Sequence, residues 1–253
     1  MNKKQAKVAS RTLAALALAA LAACATPPTG DKELMAEFEQ TNDPLEPTNR
    51  VVFQFNQGVD TVVLRPAALA YRTVVPEFGR DRVGDFLSNL YAPLTFVHDV
   101  LQGEISRAGT TLGRFVMNTT FGVFGIMDVA APAGLAPHSE DAGQTLGVWG
   151  APEGAYLILP VLGPSNPRDL TGRVADWFLD PYQHATRDAD WARWGRTGGS
   201  AIDGRERALD VLDDLEKTSL DYYAAVRSLY RQRRNTEIRN GKAADSITPG
   251  LTQ

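Results

Sequence analysis

The chain has 253 residues, with 26 basic and 30 acidic side chains for a formal net charge of −4 at pH 7, and a single cysteine. That acidic balance argues against a nucleic-acid partner, because holding phosphate backbones takes a basic surface. One cysteine and three dispersed histidines, His98, His138 and His184, offer neither an HExxH motif nor a second thiol to complete a zinc site.

Residues 1–23 read as a secretory signal: Lys3, Lys4, Lys7 and Arg11 form a positive n-region, Leu13 to Leu21 an apolar core, and small Ala22 and Ala23 precede Cys24. The apolar run is too short and too rich in alanine to be a good membrane span. Leu21-Ala22-Ala23-Cys24 has the form of a bacterial lipobox. Cys24 is therefore expected to carry a covalent N-acyl diacylglycerol anchor, with no other cofactor. Ala25 follows where an aspartate would usually retain a lipoprotein on the inner membrane, so delivery to the outer membrane, facing the periplasm, is the expectation. Cleavage would take four of the 26 basic residues and none of the 30 acidic ones, making the remainder more acidic.

Residues 24–42, rich in Pro, Thr and Gly and then polar, read as a lipidated tether. Residues 43–240 are expected to form one mainly α domain, and 241–253 a disordered tail. Within the domain Val52, Phe55, Val59 and Val63 recur at helical spacing, with Gln54, Asn56, Gln57 and Asp60 on the opposite face. A second stripe, Val83, Phe86, Leu90, Leu94, Val97 and Leu101, crosses Pro93, which should kink it. Ile105, Ala108, Leu112, Phe115 and Val116 form a third stripe, Ile202, Leu209, Leu212 and Leu215 a fourth, and Leu220, Tyr223, Val226 and Tyr230 a fifth. Frequent proline and glycine keep most of these helices short. The one plausible strand pair lies in "GQTLGVWGAPEGAYLILPVLG", where turn residues separate two apolar runs. Phe53 and most of "FGVFGIMDVAAPAGLA" carry apolar residues off the main stripes, more than a small water-exposed domain usually shows. No segment after Cys24 reaches the roughly 18 uninterrupted apolar residues of a spanning helix.

Catalytic groups are sparse. No GxSxG elbow occurs, and His138-Ser139-Glu140-Asp141 reads as a surface turn, since adjacent positions seldom converge as a triad. His98, His138, His184 and Ser139 are expected to have no chemical role. The spaced glycines 143, 147, 150 and 154 match neither GxGxxG nor a P-loop, leaving close packing or hinge flexibility. Arg227, Arg231, Arg233, Arg234 and Arg239 read either as a solvated helix face or as a site for lipid headgroups or an acidic partner.

Several stretches together resemble one family. "NDPLEPTNRVVFQFNQGVD" (42–60), "RPAALAYRTVVP" (65–76), "RVGDFLSNLYAPLTFVHDVLQGE" (82–104), "RFVMNTTFGVFGIMDVA" (114–130), "EDAGQTLGVWGAPEGAYLILPVLGPSNPRDLTG" (140–172) and the final "YRQRR" are similar, in order, to the MlaA/VacJ outer-membrane lipoproteins. The resemblance implies a ring of amphipathic helices around a central channel, embedded in the inner leaflet of the outer membrane, with one Gly-rich hairpin. It implies removal of mislocalised phospholipid from the outer leaflet, delivery to the soluble periplasmic carrier MlaC, and a complex with trimeric porins of the OmpC/OmpF type. No bond is cleaved in this reading; a structural or adhesive lipoprotein and a phospholipase are the alternatives. Asn49, Asn56, Gln57 and Asp60 become the expected channel lining. Residues 134–163 become the expected gate hairpin, with Gly134 and Gly163 as hinges, Gly143, Gly147, Gly150 and Gly154 within it, and bulky Leu146, Trp149, Tyr156 and Leu157.

Overall fold

The structure is a computed structural model that describes residues 41–240. The expected signal segment, Cys24 with its expected lipid, most of the expected tether and the expected tail from 241 lie outside the described residues. Those described are mostly helical and group into two compact units, residues 41–57 with 153–167, and residues 58–152 with 168–240. None of their helices is long and apolar enough to cross a membrane.

In the smaller unit, α1 (Glu46–Val59) and a two-stranded antiparallel hairpin, β1 (Leu157–Leu159) with β2 (Gly163–Ser165), carry the regular structure. Two asparagines seven residues apart on α1 hold the hairpin. Asn49 Nδ2 donates to the Tyr156 carbonyl at 3.0 Å and its Oδ1 accepts from the Ile158 amide at 2.9 Å. One step further, Asn56 Nδ2 donates to Leu159 O at 2.9 Å and Oδ1 accepts from Val161 N at 2.7 Å. Two helical turns advance about 10.5 Å. Three strand residues advance about 10 Å, so the two amides meet β1 in register.

In the larger unit a π-helical turn, Asp60–Leu64, leads into α2 (Arg65–Val74). Pro66 supplies the reason: it has no N–H for the Val62 carbonyl, and Arg65 N–H bonds to Asp60 O in the wider pattern. The turn is clamped through Asp60, whose carboxylate takes Arg205 Nε at 2.7 Å and Nη2 at 2.8 Å.

The longest helix, α3 (Glu77–Leu101, 25 residues), runs through Pro93 without ending there. It folds back on α4 (Ile105–Thr120) through a glycine cap. Gly103 at φ +75° lets its own N–H reach Val100 O at 3.0 Å and that of Glu104 reach Asp99 O at 2.9 Å. The same device closes α5 (Ala142–Val148): Gly150 at φ +91° directs its N–H to Gly147 O and that of Ala151 to Leu146 O.

The helix α5 is where the structure departs most from the expected strand pair. The first apolar run of that stretch is helical, because Asp141 caps it by accepting from Gln144 N at 2.8 Å and Gln144 Nε2 reaches back to the same carboxylate. Only the second run enters a hairpin.

The remaining helices are α6 (Pro167–Leu179), α7 (Pro181–Ala185), α8 (Asp190–Arg207), α9 (Leu209–Thr218) and α10 (Tyr222–Ile238). The expected fourth stripe is thus divided between α8 and α9 at Ala208. Glycine allows α6 and α5 to meet backbone to backbone: a Cβ on Gly172 would stand 2.3 Å from Gly143 N. By contrast, Gly198 on α8 is exposed and a Cβ there would meet nothing within 4 Å.

These two glycines should answer oppositely to alanine. Gly172→Ala is expected to lower the unfolding free energy by about 2 kcal/mol through overpacking. Gly198→Ala should raise it by about 0.5–1 kcal/mol by removing helix-interior glycine entropy. Urea unfolding of the two variants beside the parent checks both signs.

Candidate functional site

The helix α4 carries its apolar and polar faces the wrong way round for a protein bathed in water. Ile105, Leu112 and Val116, at i, i+7 and i+11, are exposed, while Thr111 and Asn118 are buried and Arg114, between them at helical spacing, is largely covered. The pattern extends through the described residues, where nineteen polar or charged side chains are buried against ten apolar ones. Large apolar side chains stand exposed instead, among them Phe78, Phe121, Phe124, Trp191 and Trp194. An apolar exterior over a polar interior suits hydrocarbon as the surrounding solvent.

Between α3 and α4 the inward polar faces enclose a cavity of about 270 Å³, with Ser88, Asn89, Thr95, Arg114 and Asn118 among its walls and Tyr91 and Phe115 as apolar counterparts. Asn118 is fixed at the rim: its Oδ1 accepts from the amides of Val129 and Ala130 at 2.9 and 3.0 Å, and its Nδ2 donates to Asp128 at 3.1 Å. Burial alone would raise the Asp128 carboxyl, but Arg114, the Ala131 amide and Asn118 together hold it below the ordinary carboxylate value. The cavity therefore combines uncharged amides and hydroxyls with a neutralised ion pair.

A second cavity, about 490 Å³, lies under α10 and shares His138 and Ser139 with the first. That two-residue segment is the partition between them. In the tetrad expected to be a surface turn Ser139 is exposed, while Glu140 is buried and His138 and Asp141 are half-buried in a polar joint. His138 Nε2 donates to Asp99 at 3.0 Å, Thr111 Oγ1 donates to the same carboxylate at 2.6 Å, and buried Glu140 accepts from Gln102 Nε2 at 2.8 Å and from Arg107. Asp99, His138 and Glu140 bring three potential metal-ligand atoms within 4.8 Å of one another. Arg107, bonded to Glu140 and 3.8 Å from Asp99, already supplies positive charge among them, so the group is an ion-pair network.

Two arrangements carry the residue types of nucleophilic catalysis. In Asp99, His138 and Thr111, one imidazole nitrogen faces both carboxylate and hydroxyl, so no proton relay connects them. Asp176, His98 and Thr145 are better ordered, with His98 Nε2 2.7 Å from Asp176 and Nδ1 3.0 Å from Thr145 Oγ1. There His98 and Thr145 are buried, and the hydroxyl donates to the Asp141 carbonyl.

The expected lining on α1 needs correction. Asn49 is only 3% exposed and bound to the hairpin backbone, Asn56 is half-buried and does the same work, and Asp60 is held by Arg205. Gln57 is half-buried. The amides of Asn49 and Asn56 are thus committed to the backbone of the hairpin. The expected gate is likewise not one hairpin. Gly134, Gly143, Leu146, Gly147, Trp149 and Gly150 belong to the larger unit, and Gly154, Tyr156, Leu157 and Gly163 to the smaller. Gly134 and Gly163 do have positive φ, +87° and +75°, but they do not flank a common element. Gly143 and Gly147 serve close packing: a Cβ would meet Asp169 Oδ1 at 2.7 Å and Ile238 Cδ1 at 2.9 Å respectively. Tyr156 is buried, and Trp149, though exposed, donates from its indole to Leu101 O at 3.0 Å.

The basic C-terminal cluster is also not uniformly solvated. Arg234 is nearly buried and joins three helices, donating to Asp141 at 2.7 Å and Asp169 at 2.8 Å, with Tyr230 donating to Asp169 as well. The cavity residues Asn89, Thr95, Arg114 and Asn118 escaped the sequence reading. Their signal was a polar stripe inside two otherwise apolar helices.

Helices that bury polar networks and turn apolar stripes outward around a polar cavity define a helical protein with an apolar exterior and a polar interior. The chain belongs to the MlaA lipoprotein family, whose model matches residues 41–237. It is 33% identical over 240 residues to the intermembrane phospholipid transport system lipoprotein MlaA of Escherichia coli, covering 92% of this chain and 93% of that one. The Haemophilus influenzae protein of the same name is 31% identical, with 83% and 84% covered. An uncharacterised protein of Rickettsia prowazekii is 36% identical, with 78% of each chain covered. A solved structure reported as the structural basis for maintenance of bacterial outer membrane lipid asymmetry matches with a TM-score of 0.69 at 36% identity, covering 78% of this chain and 98% of that one.

The Arg234 network sets an acid limit. Burial opposes the charged forms of Asp141 and Asp169, yet bonds from Arg234 and its neighbours hold both carboxyls below their ordinary 3.8. Their contribution is therefore complete above pH 3.8 and is lost as pH falls through the lowered values. Arg234→Met is expected to remove about 2 kcal/mol at neutral pH by taking away the guanidinium that the two carboxylates share, and to flatten the acid loss. Denaturant unfolding across the acid range checks both.

Proposed function

We propose that this chain is an outer-membrane lipoprotein, anchored through Cys24 and seated in the inner leaflet. There it takes mislocalised phospholipid from the outer leaflet and passes it to a soluble periplasmic carrier of the MlaC kind. The single observation that carries this reading is the reversed α3–α4 pair, with apolar residues outward and the polar cavity between. A phospholipid headgroup entering hydrocarbon sheds water at a cost of several kcal/mol for its charges. Hydroxyls and amides such as Ser88, Thr95 and Asn118 replace that water, while Leu112 and Val116 on the outer face meet acyl chains.

The names and subject of the relatives and the solved structure, phospholipid transport and outer-membrane lipid asymmetry, support the same reading. Transfer without bond cleavage is favoured because, in the ordered hydroxyl–imidazole–carboxylate set around His98, the imidazole and the Thr145 hydroxyl are both buried. A trimeric porin is the proposed lateral partner, with exposed Trp191 and Trp194 offered as its contact surface.

Expression of this chain in a strain lacking its own family member, followed by measurement of phospholipid in the outer leaflet, tests the function. The parent chain should restore a leaflet free of phospholipid. Cys24→Ala should fail for want of an anchor. Ser88→Trp should fail because an indole fills the cavity, with unfolding midpoint and membrane level unchanged. Full restoration by a stably folded Ser88→Trp would remove the cavity from the lipid path, and no restoration by the parent chain would overturn the function.

A further inference from the structure

The chain leaves α4 through a seven-residue segment, 121–127, that contains no polar side chain. Five of the seven residues are exposed, Phe121 and Phe124 each to 75%. The neighbouring sequence shares this character. Across residues 101–139 not one exposed residue is charged, although charged residues make up 22% of the chain; Glu104, Arg107, Arg114 and Asp128 are all half-buried. The surface after α8 is the opposite, with Leu220 fully exposed among exposed Asp214, Glu216 and Lys217.

The backbone of 121–127 is strained and closed on itself. Val123 and Phe124 take φ of +54° and +58°, which β-branched and aromatic residues rarely adopt, and Gly125 follows at +89°. What the strain achieves is pairing. The amides of Phe121 and Gly122 donate to Met117 O, Phe124 N to Thr119 O, Gly125 N to Asn118 O, Ile126 N to Val123 O and Met127 N to Gly122 O, so six of the seven N–H groups are bonded within the segment or to the last turn of α4. Thr120, at the entrance, donates its hydroxyl to Val116 O at 2.6 Å. On an ordinary surface loop water would serve these groups and no strain would be needed. Hydrocarbon cannot serve them, and irregular backbone is kept out of it unless its polar groups are bonded within the protein.

We propose that residues 121–127 form an apolar prong inserted among the acyl chains of the bilayer, with Phe121 and Phe124 leading, while the surface around Leu220 and Arg233 stays in water. The proposal rests on the membrane seating in the reading above and names the surface that makes it.

A protein partner fits the prong less well than lipid does. Protein interfaces surround an apolar centre with a rim of hydrogen-bonding and charged groups. Here the flanking exposed residues, Leu112, Val116, Ala131, Pro132 and Ala133, are apolar as well. Acyl chains ask for no such rim. The prong is also seated on the first cavity: a Cβ on Gly125 would stand 2.4 Å from Asn89 Nδ2, and Asn118, whose carbonyl takes the Gly125 amide at 2.8 Å, lines the same space. Acyl chains parted by Phe124 would thus lie beside the polar groups proposed to receive a headgroup.

The test uses the full chain carrying its Cys24 anchor, in vesicles of phosphatidylethanolamine and phosphatidylglycerol. A nitroxide is attached in turn to Val116→Cys, Phe124→Cys, Leu220→Cys and Arg233→Cys; the parent chain, whose only thiol is Cys24, gives the labelling background. Electron paramagnetic resonance reads collisions of each label with oxygen, which concentrates in hydrocarbon, and with a water-soluble nickel complex. The labels at 116 and 124 should keep oxygen collisions and lose those with nickel, and the labels at 220 and 233 should collide freely with nickel. Phe124→Asp is the companion variant, since aspartate accepts a positive φ and leaves the backbone of the loop as it is. With the unfolding midpoint unchanged, it should restore nickel collisions to a label at Phe121→Cys, because a carboxylate is strongly disfavoured in hydrocarbon.

Nickel collisions at 124 with none at 116 would overturn the assignment of the loop and leave the membrane seating standing. Loss of both oxygen and nickel collisions at 124, the mark of a protein contact, would overturn it too, as would equal shielding of 220 and 233 or unchanged shielding at 121 in folded Phe124→Asp. Nickel collisions at all four positions would instead defeat the membrane seating itself.

Discussion

Arginine–carboxylate contacts hold the helices of the larger unit to one another, and most of the remaining architecture follows from that. Arg72 and Arg80 converge on buried Glu206, Arg205 grips Asp60, and Arg234 ties Asp141 to Asp169. Arg196, itself buried, pairs with Asp180 and lies between the rings of Tyr91 and Tyr182, 4.3 Å from each centroid. A soluble domain would join such helices chiefly by burying leucine and valine. With the apolar residues turned outward that choice is lost, and in the proposed lipid setting hydrocarbon would compete for them as well as a neighbouring helix does. Cohesion then depends on groups that hydrocarbon cannot satisfy.

The same economy explains the two cavities. Polar side chains already face inward to bind helices, so a space left among them is wetted or filled by polar ligand atoms without further provision. Asn118 shows the overlap: it fixes the backbone of Val129 and Ala130 and is also part of a cavity wall. A residue of this kind stabilises the fold and shapes the cavity at once, and variants at it will mix the two effects.

The sequence made some of this legible. Its helical periods at 83–101 and 105–116 fall within α3 and α4, and the resemblance to the MlaA/VacJ lipoproteins led to the family. Burial was harder, because periodicity locates a stripe but not the side that faces the core. In α4 the apolar stripe is the outer one, and the informative residues were Thr111, Arg114 and Asn118 at i, i+3 and i+7. Glycine was ambiguous for a related reason. Gly143, Gly147 and Gly172 could mark flexibility or close approach, and only the position of a neighbouring backbone or side chain distinguishes the two. The signal for α5 was Asp141-x-x-Gln144, a helix-start pattern that the apolar run after it masks. The pairings of His138 with Asp99 and of Glu140 with Arg107 join residues 39 and 33 positions apart, beyond what local pattern can reveal.

The hairpin held by Asn49 and Asn56 bears on which substitutions the chain can tolerate. Each amide offers one donor and one acceptor to β1, as a neighbouring strand's peptide group would, and so closes an edge that would otherwise be open to pairing. Aspartate at either position would set two acceptors against a carbonyl oxygen. Serine would not span the gap, and glutamine would displace the strand by the length of a methylene. Since the two sites share one rigid helix, a shift at the first is transmitted to the second. Conversion of either amide to a carboxylate would therefore turn an attractive edge into a repulsive one, whereas their place inside a helix holds the next backbone nitrogen away from the attack by which asparagine ordinarily ages.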